Sequence, residues 1–179
     1  MALDWNPLLA DQLDWHWQNQ LRPRLDGLTD DEYFWQPVPD CWTVRPDPER
    51  GGLTIDWAYP APDPAPVTTI AWRIGHILVG VLGMRTAAHF GGPPMDYMTY
   101  PWPGTAAEAL DRLDEAYERW ITGVRGLGEE GLARPCGPAE GAYAEEPLAT
   151  LVLHINRETI HHGAEISLLR DLYVHRFGG

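Results

Sequence analysis

The sequence predicts an all-α protein, a four-helix bundle with a long proline-rich loop after the first helix. Four segments carry apolar residues at spacings of three and four, the period of an amphipathic helix, and no pair of segments reads convincingly as paired strands. Eight prolines fall within residues 36–66, a density that forbids a regular helix there. The 179 residues, 44% of them hydrophobic, suffice for a single domain over residues 1–179.

The first predicted helix spans residues 4–26. Asp4 stands where it can cap the start, and Pro23 should kink or end the helix nearby. The TDDE sequence at residues 29–32 is a capping-box pattern that opens a short turn. Within the proline-rich loop, residues 53–60 could hold a short extended segment. The aromatic residues of this loop favour a packed loop that covers part of the domain; they are Trp35, Trp42, Trp57 and Tyr59.

The second predicted helix, residues 67–90, is apolar on most sides and should therefore be central. His76 lies in its middle. Its small residues would let another helix approach closely; they are Gly75, Gly80, Gly83 and Ala87. Thr105 should cap the third helix, which runs over residues 106–126 and ends at glycines.

The fourth predicted helix, residues 148–173, carries the residues that point to chemistry. Glu158 and His162 are one turn apart on its apolar face, where a buried carboxylate and imidazole need hydrogen bonds or a metal ion. Side chains at i and i+4 can converge on one cation. His76 would be a third ligand, which leaves an open coordination position as in catalytic zinc sites. The alternative is that these histidines are hydrogen-bonded core residues.

Three stretches of the chain resemble the DinB/YfiT-like metal-binding bundles. They are TIAWRIGHI around His76, LVLHINRETIHHGAEISLLRDL in the fourth helix, and EYFWQPVPDCW after the first helix. In that family a histidine of the second helix and a pair on the fourth bind a divalent metal. The matching positions here are His76, Glu158 and His162, a set similar to that in the bundle domain of mycothiol-dependent maleylpyruvate isomerase. The resemblance implies zinc as the first choice of metal and nickel as the second.

The resemblance also bears on the reaction. It implies a metal-dependent transferase that uses a low-molecular-weight, mycothiol-like thiol on a small electrophile, related to the thiol S-transferases. The same ligands would serve a metal-dependent hydrolase. A non-catalytic, stress-linked metal- or ligand-binding bundle is the third reading. The isomerase has a second domain after its bundle and this chain ends at Gly179, so we do not expect isomerase activity. The sequence assigns no catalytic residue.

Five further residues are candidates for the pocket around the metal. Trp72 lies one turn before His76, and Trp42 matches an aromatic residue of the family; we expect both to line the pocket. Glu165 could be an alternative ligand, an acceptor for the other ring nitrogen of a ligand histidine, or a surface carboxylate. His154 and His161 flank the same face, either as polar pocket residues or exposed to solvent.

Composition limits the partners. A formal net charge of −13, from 13 Lys and Arg against 26 Asp and Glu, argues against binding a nucleic-acid backbone. Cys41 and Cys136 form no CxxC motif, which fits a reducing cytoplasm. There is no signal-peptide pattern, and the most apolar segment, residues 74–84, is shorter than the about 20 residues of a membrane span. We expect a cytoplasmic protein with a small-molecule substrate, no nucleic acid or membrane partner, and homodimer formation left open.

Overall fold

The computed structural model describes residues 3–178 and is mostly helical. Two helices contain a central π-helical stretch: α1, residues 5–24, joins Trp5–His16, Trp17–Leu21 and Arg22–Arg24, and α3, residues 70–89, joins Ile70–His76, Ile77–Gly83 and Met84–His89. The remaining elements are α2 (Asp30–Tyr33), β1 (Val44–Pro46), β2 (Leu53–Ile55), α4 (Ala106–Arg125), α5 (Gly128–Ala133), a 3₁₀ segment (Pro138–Tyr143) and α6 (Leu148–Phe177).

Side-chain caps set where the helices begin. Asp4, Thr29 and Thr105 each accept a hydrogen bond from a backbone N–H of the first turn, at 3.2–3.3 Å, so these three predicted starts are confirmed. Helix α3 starts at Ile70 rather than at residue 67, because the Thr69 hydroxyl accepts from the backbone N–H of Trp72 at 3.2 Å. Helix α1 ends at Arg24, directly after Pro23, as the missing proline N–H predicts.

The proline-rich loop contains a small β-hairpin that the sequence prediction missed. Strands β1 and β2 pair antiparallel, with Val44 opposite Ile55. Gly51 and Gly52 make the turn with φ of +73° and +76°, which glycine adopts without strain. Each strand has three residues, too few for an alternating pattern to stand out. The expectation of an extended segment within residues 53–60 is confirmed at β2.

The long helices pack around one hydrophobic core. Helix α6 lies against α1 and α3, and α4 lies against α1 and α3 on the other side. The Trp17 ring stacks on that of Tyr117 with centroids 4.0 Å apart, and Asn156 Nδ2 donates to the Leu9 carbonyl oxygen at 2.8 Å. Among the helices of residues 3–178, none is both long enough and apolar enough to span a bilayer.

The glycines of α3 do not face another helix, which corrects the expectation from sequence. A Cβ at Gly75 would lie 2.9 Å from Trp102 Cζ3, and one at Gly80 would overlap the Tyr97 hydroxyl. Both aromatic residues belong to the loop of residues 91–103. The small residues of α3 therefore admit loop side chains against the helix, and Tyr97 reaches His76 by this route.

Candidate metal centre

Three donor side chains from two helices converge where α3 packs against α6. His76 ends the first part of α3, and Glu158 and His162 are one turn apart on α6. One ligand atom from each lies within 4.8 Å of the other two. The two imidazole rings have centroids 4.7 Å apart and are nearly perpendicular, and His162 Nε2 lies 3.5 Å from Glu158 Oε2. The structure thus brings together the three residues that the sequence proposed as ligands.

Glu165 holds the ring of His162. Its Oε2 lies 2.7 Å from His162 Nδ1 and 3.1 Å from Arg73 Nε. Arg73 Nη1 is also 3.3 Å from the same Nδ1, but arginine can only donate and the carboxylate can only accept. The shorter contact puts the proton on Nδ1, which leaves Nε2 with its lone pair. Of the three roles open for Glu165, the geometry favours the acceptor.

Tyr97 holds the ring of His76. Its hydroxyl lies 2.6 Å from His76 Nδ1, and the Trp57 ring stacks on Tyr97 with centroids 4.8 Å apart. This residue was missed from the sequence, because it lies in an irregular loop. The signal that could have found it is Gly80, a glycine inside a helix one turn after His76. Tyr97 thus contacts one ring nitrogen of His76, and Glu165 contacts one ring nitrogen of His162.

Two tryptophans flank the centre on the α3 side. The Trp72 ring stacks on His76, with centroids 5.2 Å apart and planes at 16°. The Trp42 ring lies 5.9 Å from that of Trp72, on the loop before β1. Trp72 Nε1 donates to the Asp56 carbonyl oxygen at 2.8 Å, which fixes its ring. Both residues lie on the same side of the protein as the candidate metal centre. Trp72 contacts His76, and Trp42 lies next to Trp72.

The flanking histidines differ in position. His154 Nδ1 lies 3.6 Å from Glu158 Oε1, one turn before that carboxylate. The side chain of His161 is 62% exposed, and its Nε2 is 3.5 Å from Glu165 Oε1. A second group of donors, His161, His162 and Glu165, also lies within 4.8 Å. Both groups contain His162. The second group would need Glu165 as a ligand, although the Glu165 carboxylate already pairs with His162 and Arg73.

Burial favours the neutral form of both candidate ligand histidines. It lowers the pKa of His76 to about 4, with His162 and Arg73 acting in the same direction and Glu158 opposing them. Burial also lowers the pKa of His162, against the hydrogen bond that His162 donates to Glu165, which raises it. Burial raises the pKa of the Tyr97 hydroxyl, so that it stays protonated. Neutral imidazole is the form that binds metal ions, so both rings are ready as ligands at neutral pH.

Comparison with known proteins gives one match. The family model described as the DinB superfamily matches residues 12–166, a range that contains His76, Glu158 and His162. Neither a curated protein nor a solved structure matches the chain.

Proposed function

The chain belongs to the DinB superfamily, and on this basis we propose that it is a metal-dependent transferase that uses a low-molecular-weight, mycothiol-like thiol on a small electrophile. His76, Glu158 and His162 hold the metal, with zinc as the first choice and nickel as the second. The observation that supports this is the convergence of their donor atoms within 4.8 Å. We also infer that α1, α3, α4 and α6 form a four-helix bundle of the DinB type, as one domain over residues 1–179.

The donor set fits a divalent metal. Two imidazoles and a carboxylate are common zinc ligands, and three protein ligands leave a position open. Glu165 and Tyr97 engage one nitrogen of each imidazole, as hydrogen-bond partners of metal-bound histidines do. A divalent ion bound there supplies Lewis acidity, which lowers the pKa of a thiol or a water molecule.

The protein's own residues would bind and orient the reactants. The side chain of Glu158 is 26% exposed and that of His162 is 9% exposed, so substrates approach on the side of Glu158 rather than that of His162. Trp72 is 7% exposed and stacks on His76, which keeps water from that face of the ring. The aromatic groups around it offer an apolar wall to an organic substrate.

A metal-dependent hydrolase is the second candidate, since the same three ligands would activate water. The transferase is favoured by the state of Glu165, the carboxylate next to the ligands. His162 and Arg73 both occupy it, so it is not free to act as a general base for water. A thiol activated by a metal needs no such base. A non-catalytic metal- or ligand-binding bundle is the third candidate.

The test combines metal analysis with a turnover screen. We expect about one zinc per chain in the purified protein, and turnover with a thiol and an electrophile that is lost on chelation and restored by zinc. Glu158→Gln should lose both metal and turnover. Glu115→Gln, which alters an exposed carboxylate paired with Arg119 at 3.5 Å, should change neither.

The other outcomes separate the candidates. Turnover without a thiol supports the hydrolase. Stoichiometric metal without turnover across a broad panel supports the binding protein. Protein that takes up no divalent metal rejects the transferase, the hydrolase and a metal-binding bundle, and leaves only a bundle that binds another ligand.

A further inference from the structure

A cavity of about 640 Å³ opens beside the candidate metal centre, between the end of α3, residues 136–146 and the first turns of α6. This volume is within the range of small-molecule sites, about 300–1,000 Å³. His154 lines the cavity and also approaches Glu158, with Nδ1 3.6 Å from Oε1. The cavity therefore adjoins Glu158, one of the three candidate ligands.

Arg85 forms one wall of the cavity. Arg85 Nε lies 3.3 Å from Glu140 Oε2, and the other oxygen of Glu140 lies 2.9 Å from His89 Nε2. The side chains of Glu140 and His89 are 7% and 5% exposed. The Glu140 carboxylate is therefore buried and pairs with Arg85 and His89. Within residues 3–178, no hydrogen bond uses the terminal nitrogens of Arg85. The Nε of Arg85 is buried and its contact with Glu140 is an ion pair without a hydrogen bond. A guanidinium with unused N–H groups is suited to binding a carboxylate through two hydrogen bonds.

Part of the remaining wall is apolar. Leu151, Leu153 and Tyr143 line the cavity, and Leu153 and Tyr143 remain at least half exposed. Cys136 also lines it, but burial raises the pKa of this thiol, so it is not an activated nucleophile. These residues fit the apolar body of an organic ligand.

Charge limits the ligand to a single negative group. Glu146 lines the same cavity, and the whole chain has a net charge of −13. Arg157 also lines it, but its side chain is 69% exposed and its Nε lies 3.4 Å from Glu158 Oε1, so it is already paired with a carboxylate. Both charges of a dianion such as a phosphate monoester would be repelled by the negative charge of the protein. Arg85 provides one guanidinium group, which pairs with one negative group. A monocarboxylate matches this one guanidinium group.

We propose that this cavity binds a small monocarboxylic acid with an apolar or aromatic body, with its carboxylate on Arg85. Its other end lies past His154, toward Glu158. An acid that carries an electrophilic group at that other end would be the substrate that the thiol attacks, and this part alone rests on the proposed function. Binding itself requires no metal.

The test uses 4-phenylbutyrate and its uncharged amide, 4-phenylbutyramide, titrated into isotope-labelled protein and followed by NMR. We expect the acid to bind at least about tenfold more tightly than the amide, because only the acid pairs with a guanidinium. Shifts should map to residues 136–146 and 150–157. Arg85→Gln should bring the acid to the affinity of the amide. Arg119→Gln, a matched change at an exposed ion pair, should leave the difference intact.

Arg85→Gln leaves the buried Glu140 without its arginine partner, which can destabilise the protein. A second variant therefore tests the cavity without changing that pair. Thr150 is exposed and lines the cavity, so Thr150→Trp fills the space and leaves Arg85 and Glu140 in place. It should weaken both ligands at least about tenfold. Equal affinities for acid and amide, or unchanged acid binding in both variants, overturn the proposal.

The two proposals fail separately. Acid binding to the metal-free protein, without turnover by the zinc-loaded protein, retains the cavity site and rejects the transferase. Turnover of uncharged electrophiles without acid binding retains the transferase and rejects the cavity site.

Discussion

Helix α6 carries two buried charged clusters that differ in how their polar atoms are used. Arg170 Nε and Nη2 donate to the two oxygens of Glu32 at 2.7 and 3.1 Å, and Nη1 donates to the Asp26 carbonyl oxygen at 3.0 Å. Two turns earlier, His162 has one ring nitrogen held by Glu165, while the other faces Glu158 at a longer 3.5 Å.

The comparison shows what distinguishes a structural ion pair from a binding site. Burial is common to both, since the side chain of Glu32 is 4% exposed and that of His162 is 9% exposed. The difference lies in the donor atoms that remain. The Arg170 pair satisfies its own charges. In the centre around His162, Arg157 donates to Glu158 Oε1 at 3.4 Å, whereas Glu158 Oε2 and His162 Nε2 make no short hydrogen bond within residues 3–178. The four predictions that follow test this distinction.

Arg170→Ala should give the largest effect, and it should be on folding alone. Glu32 would be left buried and unpaired, which costs about 3–5 kcal/mol of unfolding free energy. Metal content should not change. Urea unfolding and metal analysis of the same sample check both points. The control is Arg119→Ala, an exposed pair whose loss should cost about 1 kcal/mol or less. A variant of Arg170 that lost metal while remaining fully folded would contradict the distinction.

His162→Ala should have the opposite signature. If about 10–16 kcal/mol of zinc affinity is shared among four ligands, one ligand carries roughly 3 kcal/mol, a loss of more than about a hundredfold. The fold should survive, because the core between the long helices does not depend on an ion. Zinc titration against a competing chelator, together with thermal unfolding, measures the two effects. Unchanged zinc affinity would mean that His162 is a hydrogen-bonded core histidine.

The metal-free protein should lose stability as the pH falls from about 6.5 to 4. The pKa of His76 is about 4 in the folded protein and about 6.5 in the unfolded chain. Between pH 6.5 and 4, His76 is therefore protonated in the unfolded chain and neutral in the folded protein, which favours unfolding. The contribution is complete above pH 6.5, and its loss amounts to about 3 kcal/mol. Urea unfolding of the protein and of His76→Phe over this pH range should show a shallower dependence in the variant. Parallel curves would show that His76 is not the titrating group.

Tyr97→Phe should have the smallest effect of the four. It removes the hydroxyl that lies 2.6 Å from His76 Nδ1, and loss of such a partner lowers metal affinity by about 10- to 100-fold. Tyr143→Phe is the matched control, because that hydroxyl belongs to an exposed side chain away from His76. Metal titration of both variants decides the point. Equal affinities would assign Tyr97 to packing against Gly80 and Trp57.

Much of the fold was predictable because its signals are local. The hydrophobic period of α4 and the hydroxyl of Thr105 act within one or two turns, and the predicted start of that helix is confirmed. The hairpin between β1 and β2 escaped prediction because three-residue strands contain too little pattern. The glycines of α3 were recognised as sites of close approach, but sequence alone could not say that Tyr97 and Trp102 are the side chains that approach.

By itself, the sequence determined the long helices, the family, and the spacing that puts Glu158 and His162 on one face of α6. Helix period, capping and a four-residue spacing depend on near neighbours along the chain. Only the tertiary structure decided that His76 meets this pair, that Tyr97 and Glu165 hold the two rings, and that Arg85 lines a neighbouring cavity. Tyr97 and His76 are 21 residues apart, and Arg73 and His162 are 89 apart. Contacts at such separations depend on how α3, α6 and the loop of residues 91–103 pack, and no local pattern in the chain encodes that packing.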